Sequence, residues 1–305
     1  MSRRAAAAGG HGSHFHANRR GILAMIGAMA CFIVNDALVK YASQTMPAAQ
    51  LIFVRGVMAS LLVLAVAQAM GATRHIRECA RGWVAARGVV DAIATMLFLV
   101  SLFHLPLATA TAINMTSPLF ITVLAAGFIG ERVSRPRWLA IGVGFLGVLL
   151  IIQPQAEGFN VYALVCLLAT VLLAVRDLVT RRVHTGVPSI LITLSNTIAV
   201  MLLAGGLSLL EGWRPLRAFE MGLLAVAAVF LASAYFLIVT STRRGDLSLI
   251  APFRYTGLLF ATLAGFVVWG DRPNALAWCG IALVIASGIY VLRASRAGKS
   301  HVDPA

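Results

Sequence analysis

From about residue 20 onward, long apolar runs alternate with short breaks of charge, Pro or Gly. Cutting at those breaks leaves ten segments, approximately 20–42, 48–70, 82–104, 107–129, 136–153, 159–181, 187–210, 217–241, 246–269 and 274–293. At about 1.5 Å of rise per residue, each can cross a hydrocarbon core of roughly 30 Å as a helix. A helix satisfies its own backbone hydrogen bonds in lipid, so the pattern predicts an all-α integral membrane protein. The first run is longer than a signal-peptide h-region and is expected to be retained. Residues 1–19, rich in Ala, Gly and His, read as a disordered cytoplasmic tail, and 294–305 as a second tail.

Composition agrees. The 305 residues are 60% hydrophobic and 12% charged, and mean hydropathy is +0.88, an apolar excess too large for one soluble core to hide. A net charge of +14 would ordinarily raise nucleic acid as a partner, but the positions of the cations explain it differently. Arg3, Arg4, Arg19, Arg20, Arg74, Arg77, Arg81, Arg132, Arg135, Arg137, Arg181, Arg182, Arg243, Arg244, Arg293, Arg296 and Lys299, 17 of the 25, fall at alternate breaks and at both ends, whereas the opposite breaks hold Arg214, Arg217 and Arg272. Cytoplasmic loops carry the excess of Lys and Arg, so both termini are predicted cytoplasmic and no nucleic acid is implied. Trp83, Trp138, Trp213, Trp269 and Trp278 lie near predicted helix ends, where an amphipathic ring suits the headgroup level. Cys31, Cys79, Cys166 and Cys279 form no C-x-x-C pair, which indicates neither a disulfide framework nor a structural zinc.

The chain also resembles itself. A shift of 141 pairs Asp36 with Asp177, Lys40 with Arg181 and Pro47 with Pro188; a shift of 140 pairs Leu119-Phe120 with Leu259-Phe260, Thr122 with Thr262, Gly130-Glu131-Arg132 with Gly270-Asp271-Arg272, and Trp138 with Trp278. Residues 20–153 and 159–293 are thus predicted to be five-helix repeats. Five is odd, so the second repeat enters the membrane from the opposite side. Two such inverted halves can exchange conformations around a site near the midplane.

With each half ending in Leu-Phe, a Gly-Glu/Asp-Arg turn and a Trp-opened last helix, the chain resembles the drug/metabolite transporter superfamily with two EamA-type repeats, over about 20–293. The second copy departs from the usual Gly-Glu-Arg with Gly270-Asp271-Arg272. The resemblance implies small-metabolite transport across a bacterial inner membrane, in either direction, with the lipid bilayer as the other partner. The runs Asn35-Asp36-Ala37-Leu38-Val39-Lys40 and Phe53-Val54-Arg55-Gly56 are similar to the riboflavin-importer branch, and also to branches for S-adenosylmethionine and amino acids. Riboflavin uptake is the expected activity. Import or export of amino acids, S-adenosylmethionine or another organic anion or zwitterion is the alternative.

Ionisable side chains at membrane depth cost at least about 2.5–3.5 kcal/mol, so each is a site candidate unless it snorkels or is neutralised. Helical rise puts Asp36 about 24 Å into the first span and Arg55 about 10 Å into the second from the other side, so both lie in the outer half. An Asp36–Arg55 pair would be mutually neutral; Lys40, one turn from Asp36, could shield it instead. Arg176 and Asp177 fall near the inner end of the sixth span, Arg176 being expected to snorkel, and Asn196 takes the repeat position of Arg55. Asp36, Lys40 and Arg55 are then expected as an outer gate, with Asp177 and Arg254 as the inner one. Arg87 and Asp91 are i,i+4 on the third span. Asp91 is near the midplane and is a candidate for coupling to a proton or sodium; a local Arg87–Asp91 ion pair is the structural alternative. Three aspartates against five cations in the spans favour an anionic, zwitterionic or strongly polar substrate.

Asn114-Met115-Thr116-Ser117-Pro118 places a helix-breaking Pro in the fourth span, and Pro252-Phe253-Arg254-Tyr255 does so in the ninth. Such breaks are tolerated where they line a cavity, so Asn114, Thr116, Ser117, Arg254 and Tyr255 are expected along the substrate pathway. Interhelical hydrogen bonding is the alternative role for the first three. Phe32, Asn35, Phe98, Tyr235 and Phe236 could add a stacking surface, as could ordinary packing employ them. Gly142-x-Gly144-x-x-Gly147 matches a dinucleotide fingerprint but sits inside an apolar span, where close helix packing is the expected role. His11, His14 and His16 are read as part of the disordered tail, and no cofactor or metal is implied. A membrane-embedded enzyme is the rival class, but no H-E-x-x-H, G-x-S-x-G or paired catalytic acids occur; an assembly subunit would have no use for so many buried charges.

Overall fold

A computed structural model describes residues 2–131, 133–153, 160–180, 182–184, 186–244 and 250–297. Arg132, Arg181 and Lys299, and the side chains of Arg3, Arg4, His11, His14, His16, Arg243, Arg244 and Arg296, lie outside the described residues. The described residues form α1 (Ser2–Ala42), α2 (Ala48–Ala69), α3 (Gly82–His104), α4 (Leu107–Asn114), α5 (Ser117–Leu124), α6 (Arg135–Ile152), α7 (Tyr162–Thr180), α8 (Ser189–Glu211), α9 (Ala218–Arg244), α10 (Thr256–Trp269) and α11 (Ala275–Ala297), and no strand. The Ala-rich segment expected as a disordered tail continues α1, as alanine's helix propensity favours; the apolar part of that helix is Arg19–Ala42.

Among the described residues, nine segments are long and apolar enough to cross a membrane. The ninth predicted span, 246–269, is represented by a 3-10 turn at Ala251–Tyr255 running into α10. The fourth span is broken between α4 and α5, where the missing N–H of Pro118 leaves the Asn114 carbonyl without its i+4 donor. Thr116 bridges the break, its Oγ1 donating to Ile113 O at 2.6 Å.

Helix pairing follows a single pattern: α1 packs on α9, α3 on α7, α2 on α8, α6 on α11, α4 on α10, α3 on α8, α2 on α9, α5 on α7 and α1 on α10. Exchanging the first five spans for the last five maps this set onto itself. The glycines of the two Gly-acid-Arg motifs share a backbone conformation: Gly130 at φ 73° ends the helical run of the fourth span and Gly270 at φ 72° ends α10. Only glycine takes this left-handed conformation without cost, which is why the repeat keeps it.

Small residues permit the closest contacts. A Cβ on Gly147 would lie 2.7 Å from Gly280 O at the α6–α11 crossing, whereas one on Gly142 would meet nothing within 4 Å. The apparent dinucleotide fingerprint is therefore part of a helix contact. Trp83, Trp138, Trp213 and Trp278 are about half exposed, but Trp269 is turned inward, with Lys40 Nζ 5.5 Å from its ring centroid. All four cysteines are free, and burial pushes the Cys79 thiol above its ordinary range.

Candidate functional site in the central cavity

α1, α2, α3, α7, α8 and α9 surround a cavity of about 320 Å³, which the two interrupted spans also reach through Thr111, Asn114 and Met115 on one side and Arg254 and Gly257 on the other. Its polar lining includes Asn35, Asp36, Arg55, Asp91, Thr95, Asn114, Arg176, Asn196, Thr197, Tyr235 and Arg254. Phe32, Phe98 and Tyr235 supply aromatic surface, the rings of Phe32 and Tyr235 meeting edge to face at 5.4 Å.

Seven of the expected pathway residues thus converge: Asn35, Asp36, Arg55, Asp91, Asn114, Tyr235 and Arg254. Four do not line the cavity. Thr116 is consumed in bridging the helix break, and Ser117 opens α5 beyond that break. Asp177 accepts two hydrogen bonds from Arg176, at 2.9 and 2.7 Å, on the same helix. Tyr255 is buried, packed where α11 offers Gly288 in place of a side chain. Phe236 is 70% exposed and turns away.

The charge partners differ from those the sequence suggests. Asp36 and Arg55 are joined through Asn35: Asn35 Nδ2 donates to Asp36 Oδ1 at 2.8 Å and Arg55 Nη1 donates to Asn35 Oδ1 at 3.4 Å. Lys40 does not shield Asp36. It reaches across to α3, donating to Leu102 O at 2.8 Å and to Leu105 O, carbonyls that the end of that helix leaves without partners. Asp91 pairs with Arg176 Nη1 at 2.6 Å rather than with Arg87, which donates instead to Thr180 Oγ1 and Asn196 Oδ1, each at 2.7 Å. Arg176 therefore points toward the midplane and bridges Asp91 and Asp177 instead of snorkelling to the interface. A long guanidinium starting one turn from a helix end can reach either way, and the acid on the neighbouring helix decides. Asp177 and Arg254 share no hydrogen bond or ion pair.

The repeat explains how the lining is built. Under the shifts of 141 and 140, Asn35 corresponds to Arg176, Arg55 to Asn196 and Asn114 to Arg254, and all six face the cavity. Each equivalent pair is one asparagine and one arginine. Within each pair one side chain is neutral and the other cationic, so the lining repeats in position and not in charge.

A second cavity of about 340 Å³ lies among the loop ends, lined by Leu105, Gln153, Asn160, Asp271, Arg272 and Asn274 among others. Its three amides are spent within the protein: Gln153 Nε2 donates to Asn274 Oδ1 at 2.9 Å and Asn274 Nδ2 to Gln153 Oε1 at 3.0 Å, and Asn160 Nδ2 donates to His104 O at 2.8 Å. The central cavity holds the concentrated charge.

Comparison with known proteins agrees with this architecture. The EamA-like transporter family matches residues 19–153 and again 160–293. The chain is 28% identical to the pseudopaline exporter CntI of Pseudomonas aeruginosa, over 91% of this chain and 98% of that one. It is 30% identical to a riboflavin transporter of Rhizobium johnstonii over 68% of each chain, and 24% identical to an S-adenosylmethionine uptake transporter of Rickettsia conorii over 85% and 87%. A solved crystal structure superimposes with a TM-score of 0.62 at 19% identity, covering 93% of this chain and 99% of that one, and so shares the fold. Named relatives of this kind are transporters rather than enzymes, and a multi-pass bacterial membrane protein is what the spans describe. The chain belongs to the EamA-like transporter family.

Proposed function

We propose that the protein is a secondary transporter moving a small polar metabolite through the central cavity by alternating access. In this reading its ten spans form two inverted five-helix repeats, about 20–153 and 159–293, with both termini in the cytoplasm of the inner membrane. The observation that carries it is the convergence of repeat-equivalent Asn and Arg side chains from both halves on one cavity, which suits a site shared by two exchangeable halves. With the termini inside, the Lys40 contact to the end of α3 closes the outer side and the exposed Arg254 stands at the cytoplasmic mouth.

Riboflavin uptake is the first activity to assay, because the aromatic lining fits a flat heteroaromatic ring and relatives bear that name. A second reading, an organic anion or zwitterion such as an amino acid or S-adenosylmethionine, is favoured by the surplus of arginine over aspartate in the lining. Rescue of a riboflavin-auxotrophic bacterium at limiting vitamin tests the first; liposome uptake with an amino-acid and S-adenosylmethionine panel tests the second. Failure of the rescue with uptake of a charged solute retires riboflavin, and accumulation of no solute under any imposed gradient retires transport. Uptake under proton and sodium gradients identifies the coupling ion, and Asp91→Asn is expected to abolish or uncouple it; unchanged transport across pH would remove Asp91 from that role.

A further inference from the structure

Among the cations lining the cavity, Arg55 is the most buried and the one with a buried nitrogen that lacks a hydrogen-bond partner. It is 6% exposed, and its Nε has no hydrogen-bond partner. Its guanidinium makes one hydrogen bond, the 3.4 Å contact to Asn35 Oδ1, long for an N–H donor. A guanidinium presents five donors in a rigid fork that matches a carboxylate, and buried donors without partners cost free energy. Arg176 has no such capacity to spare, since Asp91 and Asp177 hold it.

Asp36 completes the picture. Its carboxylate accepts one hydrogen bond, from Asn35, and forms no ion pair, the two such pairs among the described residues both belonging to Arg176. Asn35 therefore spaces a cation and an anion that face each other without direct contact on one cavity wall. A cavity of about 320 Å³ is within the range of small-molecule sites.

We propose that Arg55 and Asp36 together receive an α-amino-acid head group, the ligand's carboxylate in the Arg55 fork and its ammonium against Asp36. The rest of the ligand then lies toward Phe32, Phe98 and Tyr235. Riboflavin, which is neutral, supplies neither charge, so this head-group site deepens the second reading above, a metabolite with a zwitterionic end, and competes with the first. The assignment rests on the transport reading for its role, but binding tests it separately.

Purified full-length protein in detergent is to be titrated with the L-amino acids and S-adenosylmethionine, each beside its decarboxylated amine and its methyl ester, with riboflavin included, and binding read by equilibrium dialysis. At least one carboxylate-bearing member is expected to bind while its amine and ester bind roughly tenfold to a hundredfold more weakly, the worth of a charge-assisted hydrogen bond. Arg55→Gln should erase that discrimination and Arg55→Lys should keep part of it. Asp36→Asn should weaken the amino acid but not its deaminated carboxylic acid. Size-exclusion profiles and thermal midpoints verify that the variants are folded. Equal binding of acid, amine and ester, undiminished binding by Arg55→Gln, or binding of riboflavin alone would each overturn the assignment, as would binding of no carboxylate-bearing member. A bound zwitterion that is never translocated in liposomes would leave the head-group site standing and remove the transport reading instead.

Discussion

The Asp91 carboxylate meets Arg176 at 2.6 Å, with side chains 7% and 23% exposed. At that depth an acid stripped of its partner is an uncompensated charge, so Arg176→Gln is expected to cost about 3 kcal/mol. The double variant Asp91→Asn/Arg176→Gln should recover part of that loss, because the desolvation penalty disappears with the second charge. Chemical denaturation of the four proteins of the cycle, with a coupling of about 1–3 kcal/mol, checks this; simple additivity would mean that the two side chains do not depend on each other. The identity of Asp91's partner was not legible in the sequence. Arg87 is its neighbour along the helix, whereas Arg176 is 85 residues away, and only the α3–α7 crossing makes the second contact shorter than the first. Depth was legible; azimuth was not. Lys40 illustrates the same limit: its position near a helix end follows from counting residues, but its acceptors are carbonyls at the end of another helix, which no side-chain pattern advertises.

At the scale of the helices, the glycines of α6 separate two roles that sequence spacing confuses. Gly147→Leu should cost roughly 1–3 kcal/mol by forcing α6 away from the Gly280 backbone, while Gly142→Leu, with open space around it, should stay within about 0.5 kcal/mol of the parent. Thermal midpoints in one detergent decide it, and equal effects would contradict the packing role. The outer contact belongs to this scale too. Lys40→Met removes the donor that ties α1 to the last turn of α3 through two hydrogen bonds, and the loss of about 1 kcal/mol for each should raise labelling of an introduced Thr109→Cys by a membrane-impermeant maleimide about thirtyfold, in a Cys279→Ser background. Unchanged labelling would mean that Lys40 only caps a helix. The interruption in the fourth span was readable in advance because Pro118 lacks a backbone donor whatever surrounds it. By contrast, the assignment of Thr116 to bridging the break rather than lining the cavity depends on which way a single hydroxyl rotates.

For the whole molecule, charge placement makes a prediction independent of substrate. Green fluorescent protein folds only on the cytoplasmic side when exported by the general secretory route, so a C-terminal fusion should fluoresce and an alkaline phosphatase fusion at the same point should be inactive; the reverse pattern would invert the proposed orientation. The spans were legible because a run of apolar residues has one solution in lipid, and the internal repeat was legible because turn residues such as Gly130 and Gly270 are fixed by backbone geometry.

The exchange of asparagine for arginine between equivalent positions also bears on traffic. If the two halves trade shapes, the ligand's surroundings on the outward side are not the mirror of those on the inward side, and half-saturation should differ between the faces. Microscopic reversibility then sets a strict condition. In the absence of a coupled ion, any tighter grip on one face must be offset by slower release there, so the ratio of maximal rate to half-saturation concentration is the same in both directions. A carrier of this build can be kinetically lopsided and still do no work. Any accumulation it achieves measures the energy borrowed from a gradient, not the unevenness of its own walls.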